Sequence, residues 1–192
     1  MDAVGVNSVM ENPPFDLSNL EAYLRQEVSG FGSLDNLSVF KGGQSNPTFL
    51  VESASRRFVL RKKPPGKLLP SAHAVDREHR VMSALGHADI PVPTMYCLCL
   101  DRNVIGTEFY VMDYMEGRIL WSAELPEVSQ ESRPEYYQEL TRVLAKLHSV
   151  PFRDVGLSDF GKEGNYFARQ IGRWSKQYRA SEIDHNQSMH GL

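Results

Sequence analysis

The sequence predicts an α+β fold in two lobes, a strand-rich half followed by a helical half. Between Leu37 and Tyr114, short runs rich in β-branched and aromatic residues are separated by glycine, proline and polar turns. From Pro134 onward the apolar residues recur at helical intervals instead. Strands in one block and helices in the next is the arrangement of an α+β chain rather than an alternating α/β one. The composition, 41% hydrophobic and 23% charged, is that of a packed globular chain and not of a disordered one.

Each element has its own signal. The first dozen residues are polar and end in Pro13-Pro14, so residues 1–15 are expected to form a flexible tail. A helix follows, with Ser18 and Glu21 fitting a capping box and Leu17, Leu20, Leu24 and Val28 on one face. Gly30 and Gly32 end it. Leu37–Lys41 reads as a strand. Thr48–Glu52 and Arg57–Arg61 flank the short link Ser53-Ala54-Ser55 and read as a hairpin, broken by Pro64-Pro65-Gly66. A helix is expected from about Ala72 to Leu85, with Val75, Met82 and Leu85 inward and Gly86 as its stop. Two strands, Thr94–Leu100 and Glu108–Tyr114, are joined by the polar, turn-like link Asp101–Gly106.

The helical half begins at Pro134, where Tyr137, Leu140, Leu144 and Leu147 are spaced 3, 4 and 3 apart, and Pro151 ends the segment. Phe167, Ile171, Trp174 and Tyr178 repeat at 4, 3 and 4. The expected division is a tail over 1–15, a strand-rich lobe over 16–117 and the beginning of a helical lobe over 118–192. That second part is too short to bury both amphipathic faces, and exposed Phe167, Trp174 and Tyr178 would make a sticky surface.

Charge and composition narrow the function classes. A net charge of −3, from 24 acidic and 21 basic residues, argues against a nucleic-acid partner. No apolar run approaches the roughly 18 residues needed to cross a bilayer. Met1–Phe15 holds Asp2 and Glu11 and no Lys or Arg, unlike a secretory or transit leader, so a cytoplasmic location is expected. Cys97 and Cys99 point to one side of a strand. C-x-C alone is a poor metal site, and buried, reduced thiols are expected.

Three segments carry a chemical reading. Lys41-Gly42-Gly43-Gln44-Ser45-Asn46 joins two strands. Glycines there let backbone N–H groups approach phosphate oxygens, and Ser45 and Asn46 add donors. A hairpin turn would explain the same residues. Arg61 ends the next strand, where a cation could neutralise phosphate charge and pair with Glu78 of the following helix. Two solvated surface charges are the ordinary alternative. Finally, the apolar strand through Phe109 runs into Met112-Asp113-Tyr114-Met115-Glu116-Gly117, whose backbone could hold an adenine. An ordinary strand and turn would look the same.

Their order and spacing together resemble the aminoglycoside phosphotransferase (choline-kinase-like) family. The resemblance is carried by Phe40-Lys41-Gly42-Gly43-Gln44-Ser45-Asn46-Pro47-Thr48-Phe49, Phe58-Val59-Leu60-Arg61-Lys62-Lys63-Pro64-Pro65-Gly66 and Arg77-Glu78-His79-Arg80-Val81-Met82. More narrowly, it looks like the branch that forms the N-terminal kinase-like part of acyl-CoA dehydrogenase family members 10 and 11. Tyr114-Met115-Glu116-Gly117, Leu147-His148 and Gly172-Arg173-Trp174 also match, and the likeness runs from about Leu17 to Ala180.

The resemblance implies a protein-kinase-like fold, use of ATP with magnesium, and transfer of the γ-phosphoryl group to a small-molecule hydroxyl. It implies that Gly42, Gly43, Ser45 and Asn46 line a phosphate loop, that Arg61 pairs with Glu78, and that Met112, Asp113, Tyr114 and Met115 form the hinge. An acyl-CoA dehydrogenase domain or partner is implied, and a mitochondrial or peroxisomal location is the alternative that the resemblance leaves open beside the cytoplasmic one. One departure is Arg61 itself, a planar fork where the kinase strand has a lysine, which leaves Lys62 as a competitor.

No catalytic residue and no metal ligand is assigned. The family's His-Gly-Asp loop is not found, and it is expected some tens of residues beyond Leu192. Asp159-Phe160-Gly161 is a decoy, since Arg153-Asp154 stands too close before it for a catalytic loop. His148 reads as a helix-end or packed histidine. The chain as written is therefore expected to transfer little phosphate. A non-catalytic nucleotide-binding or interaction module, or a fragment without function, stands as the alternative.

Overall fold

A computed structural model describes residues 6–9, 13–40, 46–54, 56–66, 73–161, 164–183 and 187–190. In chain order the elements are β1 (Val6–Val9), α1 (Leu17–Glu27), β2 (Asn36–Phe40), β3 (Thr48–Ser53), β4 (Arg56–Lys62), α2 (Val75–His87), β5 (Met95–Cys99), α3 (Arg102–Ile105), β6 (Phe109–Asp113), α4 (Arg133–His148), α5 (Tyr166–Ser181) and α6 (Gln187–His190). The predicted α+β class holds. The chain divides into two compact units, 1–151 and 152–192, with α4 in the first.

The strands form one antiparallel sheet in the order β1-β2-β3-β4-β6-β5. Successive strand residues point to opposite faces, so register decides what each face carries. The rear face presents Phe49, Val51, Phe58, Leu60, Phe109 and Val111 to Leu20 and Leu24 of α1 and to Val28 just past its end, and Ile105 of α3 joins the same buried cluster. At about 25 cal/mol per Å² of apolar area, this layer is the main stabilising term of the unit. Cys97 and Cys99 lie in it as free, buried thiols, and burial pushes the Cys97 thiol up to about 12.

The front face carries two cross-strand rows. Thr48 pairs with Arg61 and Arg61 with Tyr110, while Leu50 pairs with Val59 and Val59 with Met112. Helix α2 packs against β5 and β6. Val75 is fully buried as expected, whereas Met82 and Leu85 are only half-buried.

Three local features differ from the sequence expectations. Asp16, not a Ser18–Glu21 capping box, caps α1, because its carboxylate stands one residue before the helix. Its Oδ1 accepts from the Ser18 amide at 2.7 Å and the Asn19 amide at 3.3 Å. Glu21 instead pairs with Arg25 one turn on, at 2.6 Å. Within the expected tail, Val6–Val9 is paired to β2 at the sheet edge, with a register irregularity. The link Asp101–Gly106 folds into α3, capped by Asp101 and ended by Gly106 in the left-handed region at φ 81°.

In the second unit, α5 leaves Phe167, Ile171 and Trp174 exposed and Tyr178 half-buried. In the first, Tyr137, Leu140, Leu144 and Leu147 of α4 are also exposed. No described helix is long and apolar enough to cross a membrane.

Candidate functional site

The two cations at the end of β4 are adjacent, so the pleat sends them to opposite faces. Arg61 goes to the front. Its Nε donates to Glu78 Oε2 on α2 at 2.8 Å, and its Nη1 donates to Thr48 Oγ1 on β3 at 3.1 Å. Lys62 goes to the rear, 6% exposed, with its Nζ over the Phe15 ring at 5.9 Å and 3.5 Å from the Lys63 carbonyl oxygen. Burial lowers its pKa. The competition between the two is thus decided by strand alternation: only Arg61 reaches Glu78.

Glu78 is the hub. Besides Arg61, its Oε2 accepts from the Tyr110 hydroxyl at 3.0 Å, and its Oε1 accepts from Asn46 Nδ2 at 2.9 Å. Burial, then the Glu78 charge, raises the Tyr110 phenol above its ordinary pKa. Asn46 is 2% exposed and its Oδ1 lies 2.9 Å from His73 Nδ1, just ahead of α2. The Thr48 hydroxyl donates to the Asn46 carbonyl oxygen at 3.0 Å, which turns its oxygen's lone pairs toward Arg61. His79, next along α2, has its ring 6.2 Å from that of Tyr110, and burial lowers its pKa.

The guanidinium is not used up by this network. Among the described residues no hydrogen bond engages Nη2, and the Arg61 side chain is 29% exposed. A partly open cation with spare donors fits an anion such as a phosphate, because the planar fork can donate two parallel bonds to two oxygens. Among the described residues no group of three or more His, Cys, Asp or Glu could hold a metal ion.

Of the expected site residues, the structure brings Arg61, Glu78 and Asn46 together. Asn46 turns its side chain to Glu78 and His73 rather than toward solvent. Gly42, Gly43 and Ser45 lie outside the described residues. Met112 and Asp113 close β6, and Tyr114 and Met115 continue beyond the sheet. Past Asp113, whose amide donates to Thr94 O at 2.8 Å, no backbone–backbone hydrogen bond among the described residues occupies Tyr114–Gly117. Asp113 itself sits 3.5 Å from Arg56 Nη2 and 3.4 Å from the Tyr96 hydroxyl. Arg57 lies over the Tyr114 ring at 4.4 Å and pairs with Glu116 at 3.4 Å. The hairpin tip therefore grips this segment from both faces.

Asp159 stands in a turn and His148 in the last turn of α4, exposed rather than packed. The sequence reading missed Thr48, Tyr110 and His73. Thr48 and Tyr110 were findable, because pairing the three strands in register sets both beside Arg61. His73 had no signal, lying outside regular structure.

Comparison with known proteins adds an independent line. Residues 36–188 match the model of the phosphotransferase enzyme family (APH). The chain is 52% identical over 175 residues to probable acyl-CoA dehydrogenase IBR3 of Arabidopsis thaliana, covering 87% of this chain and 21% of that protein. It is 45% identical to rat (Rattus norvegicus) acyl-CoA dehydrogenase family member 11, over 90% of this chain and 23% of the relative. With mouse (Mus musculus) family member 10 the identity is 47%, over 90% and 16%. A crystal structure from Ralstonia eutropha JMP134, described as a candidate aminoglycoside phosphotransferase, superposes with a TM-score of 0.74 at 47% identity, over 89% of this chain and 49% of that one. The chain thus spans about a fifth of the length of these curated relatives and about half of the solved structure.

Proposed function

This chain belongs to the phosphotransferase enzyme family, and from that premise we propose that it forms the nucleotide-gripping part of an ATP-dependent phosphotransferase acting on a small-molecule hydroxyl. The Arg61–Glu78 ion pair across β4 and α2 carries this reading. Bound ATP would supply the phosphoryl group, and magnesium would neutralise charge on its phosphates.

The chain's own residues bind and orient. Glu78 holds the guanidinium by Nε, Thr48 holds Nη1, and the remaining donors present a fixed cation to α/β-phosphate oxygens. A preset cation costs no reorganisation when charge shifts during transfer. The backbone of Tyr114–Gly117, which makes no backbone–backbone hydrogen bond among the described residues, can take the edge of an adenine. Magnesium is assigned no protein ligand here. Because the curated relatives are named acyl-CoA dehydrogenases and extend far past the matched region, an acyl-CoA dehydrogenase domain is the partner this reading pairs with the site.

Titrating the purified chain with Mg-ATP while following thermal unfolding tests the reading. A ligand that binds only the folded state adds about 2.7 kcal/mol at a hundredfold excess over Kd, or about 5–10 °C for a chain of this size. Arg61→Ala is expected to abolish the shift. A cooperative transition with no shift at saturating Mg-ATP would overturn the reading. Binding without transfer to any hydroxyl would recast the chain as a nucleotide-binding module.

A further inference from the structure

Resting on the nucleotide-gripping role of Arg61, we propose that His73 and Asn46 form a positioning relay that fixes the Arg61 cation before ligand arrives. The chemistry of the Asn46 amide sets the direction of the relay. Glu78 Oε1 can only accept here, so the nitrogen of Asn46 must face it, at 2.9 Å. That leaves Oδ1 toward His73 Nδ1, also at 2.9 Å, and Nδ1 must carry the proton. His73 thereby locks the amide in the one orientation that donates to Glu78.

Asn46 then acts on both partners of Arg61. Its side chain donates to Glu78, which holds Nε. Its carbonyl oxygen accepts the Thr48 hydroxyl proton, which leaves Thr48 Oγ1 free to accept from Nη1. Asn46 stands two residues ahead of β3, and His73 leads into α2. The relay thus ties chain, helix and cation into one unit.

The backbone of His73 supports a positioning role and supplies the test. It sits in the left-handed region at φ 58°, which asparagine and glycine tolerate best. His73→Gly removes the ring without backbone strain. His73→Asn keeps both the tolerated conformation and an N–H donor at the Nδ1 position.

Two readouts are taken on the full chain: Mg-ATP affinity by calorimetry, and solvent-exchange protection of the Arg61 Nε–H by nitrogen-15 NMR without nucleotide. Loss of one hydrogen bond of ordinary net strength predicts roughly three- to tenfold weaker binding for His73→Gly. Arg61 Nε–H protection should fall with it, and His73→Asn should restore both. Asn46→Ser, which shortens the relay at its other end, should match His73→Gly.

Unchanged Arg61 protection in His73→Gly would overturn the relay. So would a loss that His73→Asn fails to restore while both variants melt alike, since the ring would then act only by packing. Failure of the wild type to bind Mg-ATP would sink the functional reading alone, because the NMR readout needs no nucleotide.

Discussion

Tyr110→Phe isolates one hydroxyl at the centre of the site. Tyr110 is 1% exposed, and its hydroxyl donates to Glu78 Oε2 at 3.0 Å. A hydrogen bond to a charged acceptor contributes about 1.5–3 kcal/mol net. The Glu78 side chain is 34% exposed and keeps its bonds from Arg61 and Asn46, so the low end applies, about 1.5 kcal/mol. Urea unfolding should show a lower midpoint at unchanged slope.

The decisive comparison repeats the substitution in a Glu78→Ala background. There the phenol is already buried without its acceptor, so removing the hydroxyl should be neutral or stabilising. The coupling between the two positions should therefore reach 1 kcal/mol or more, as contacting residues give. Equal destabilisation by Tyr110→Phe in both backgrounds would refute the reasoning and assign the cost to ring packing against His79.

Other expectations follow from burial and capping. Burial raises both thiols, Cys97 to about 12, so neither should react with a thiol reagent at pH 8 in the folded chain while both react in urea; fast labelling of the native chain would contradict the core placement. Lys62→Met should change stability-versus-pH rather than fold. The folded Lys62 pKa lies below its unfolded value, so between the two the unfolded chain binds more protons and stability rises with pH toward the ordinary lysine range. The methionine variant should flatten that rise, and an unaltered slope would refute the assignment. Asp16→Ala should cost about 1 kcal/mol by denaturant titration, and Ser18→Ala much less.

The parts of the fold that repeat were legible in the sequence. The apolar face of α1, the β3–β4 hairpin and the strand pair β5–β6 follow from periodicity, and Arg61 and Glu78 follow from their places in those elements. What escaped were features set by geometry at a distance. β1 is four residues whose pairing lies across thirty positions of chain, with nothing alternating strongly enough to announce it. α3 is a single turn hidden in a polar link. The Asp16 cap differs from the predicted one by two positions, and two capping residue types so close in sequence cannot be ranked without the backbone. In the site, Glu78 was expected to meet one cation. That it also takes Tyr110 and Asn46 depends on sheet register and on where the chain re-enters α2.

Strand alternation at Arg61 and Lys62 bears on which changes to the gene this region tolerates. Losing a single codon in β4 upstream of Arg61, with Lys62 then slipping into the Arg61 row, would still set a cation opposite Glu78, and at that one position the alteration would look conservative. The same slip would turn Phe58 and Leu60 out of the α1 layer and carry Val59 into it. Length variation should therefore collect at the hairpin tip around Ser53–Arg56, where an added residue lengthens the loop without turning either strand over, and not within β4 itself.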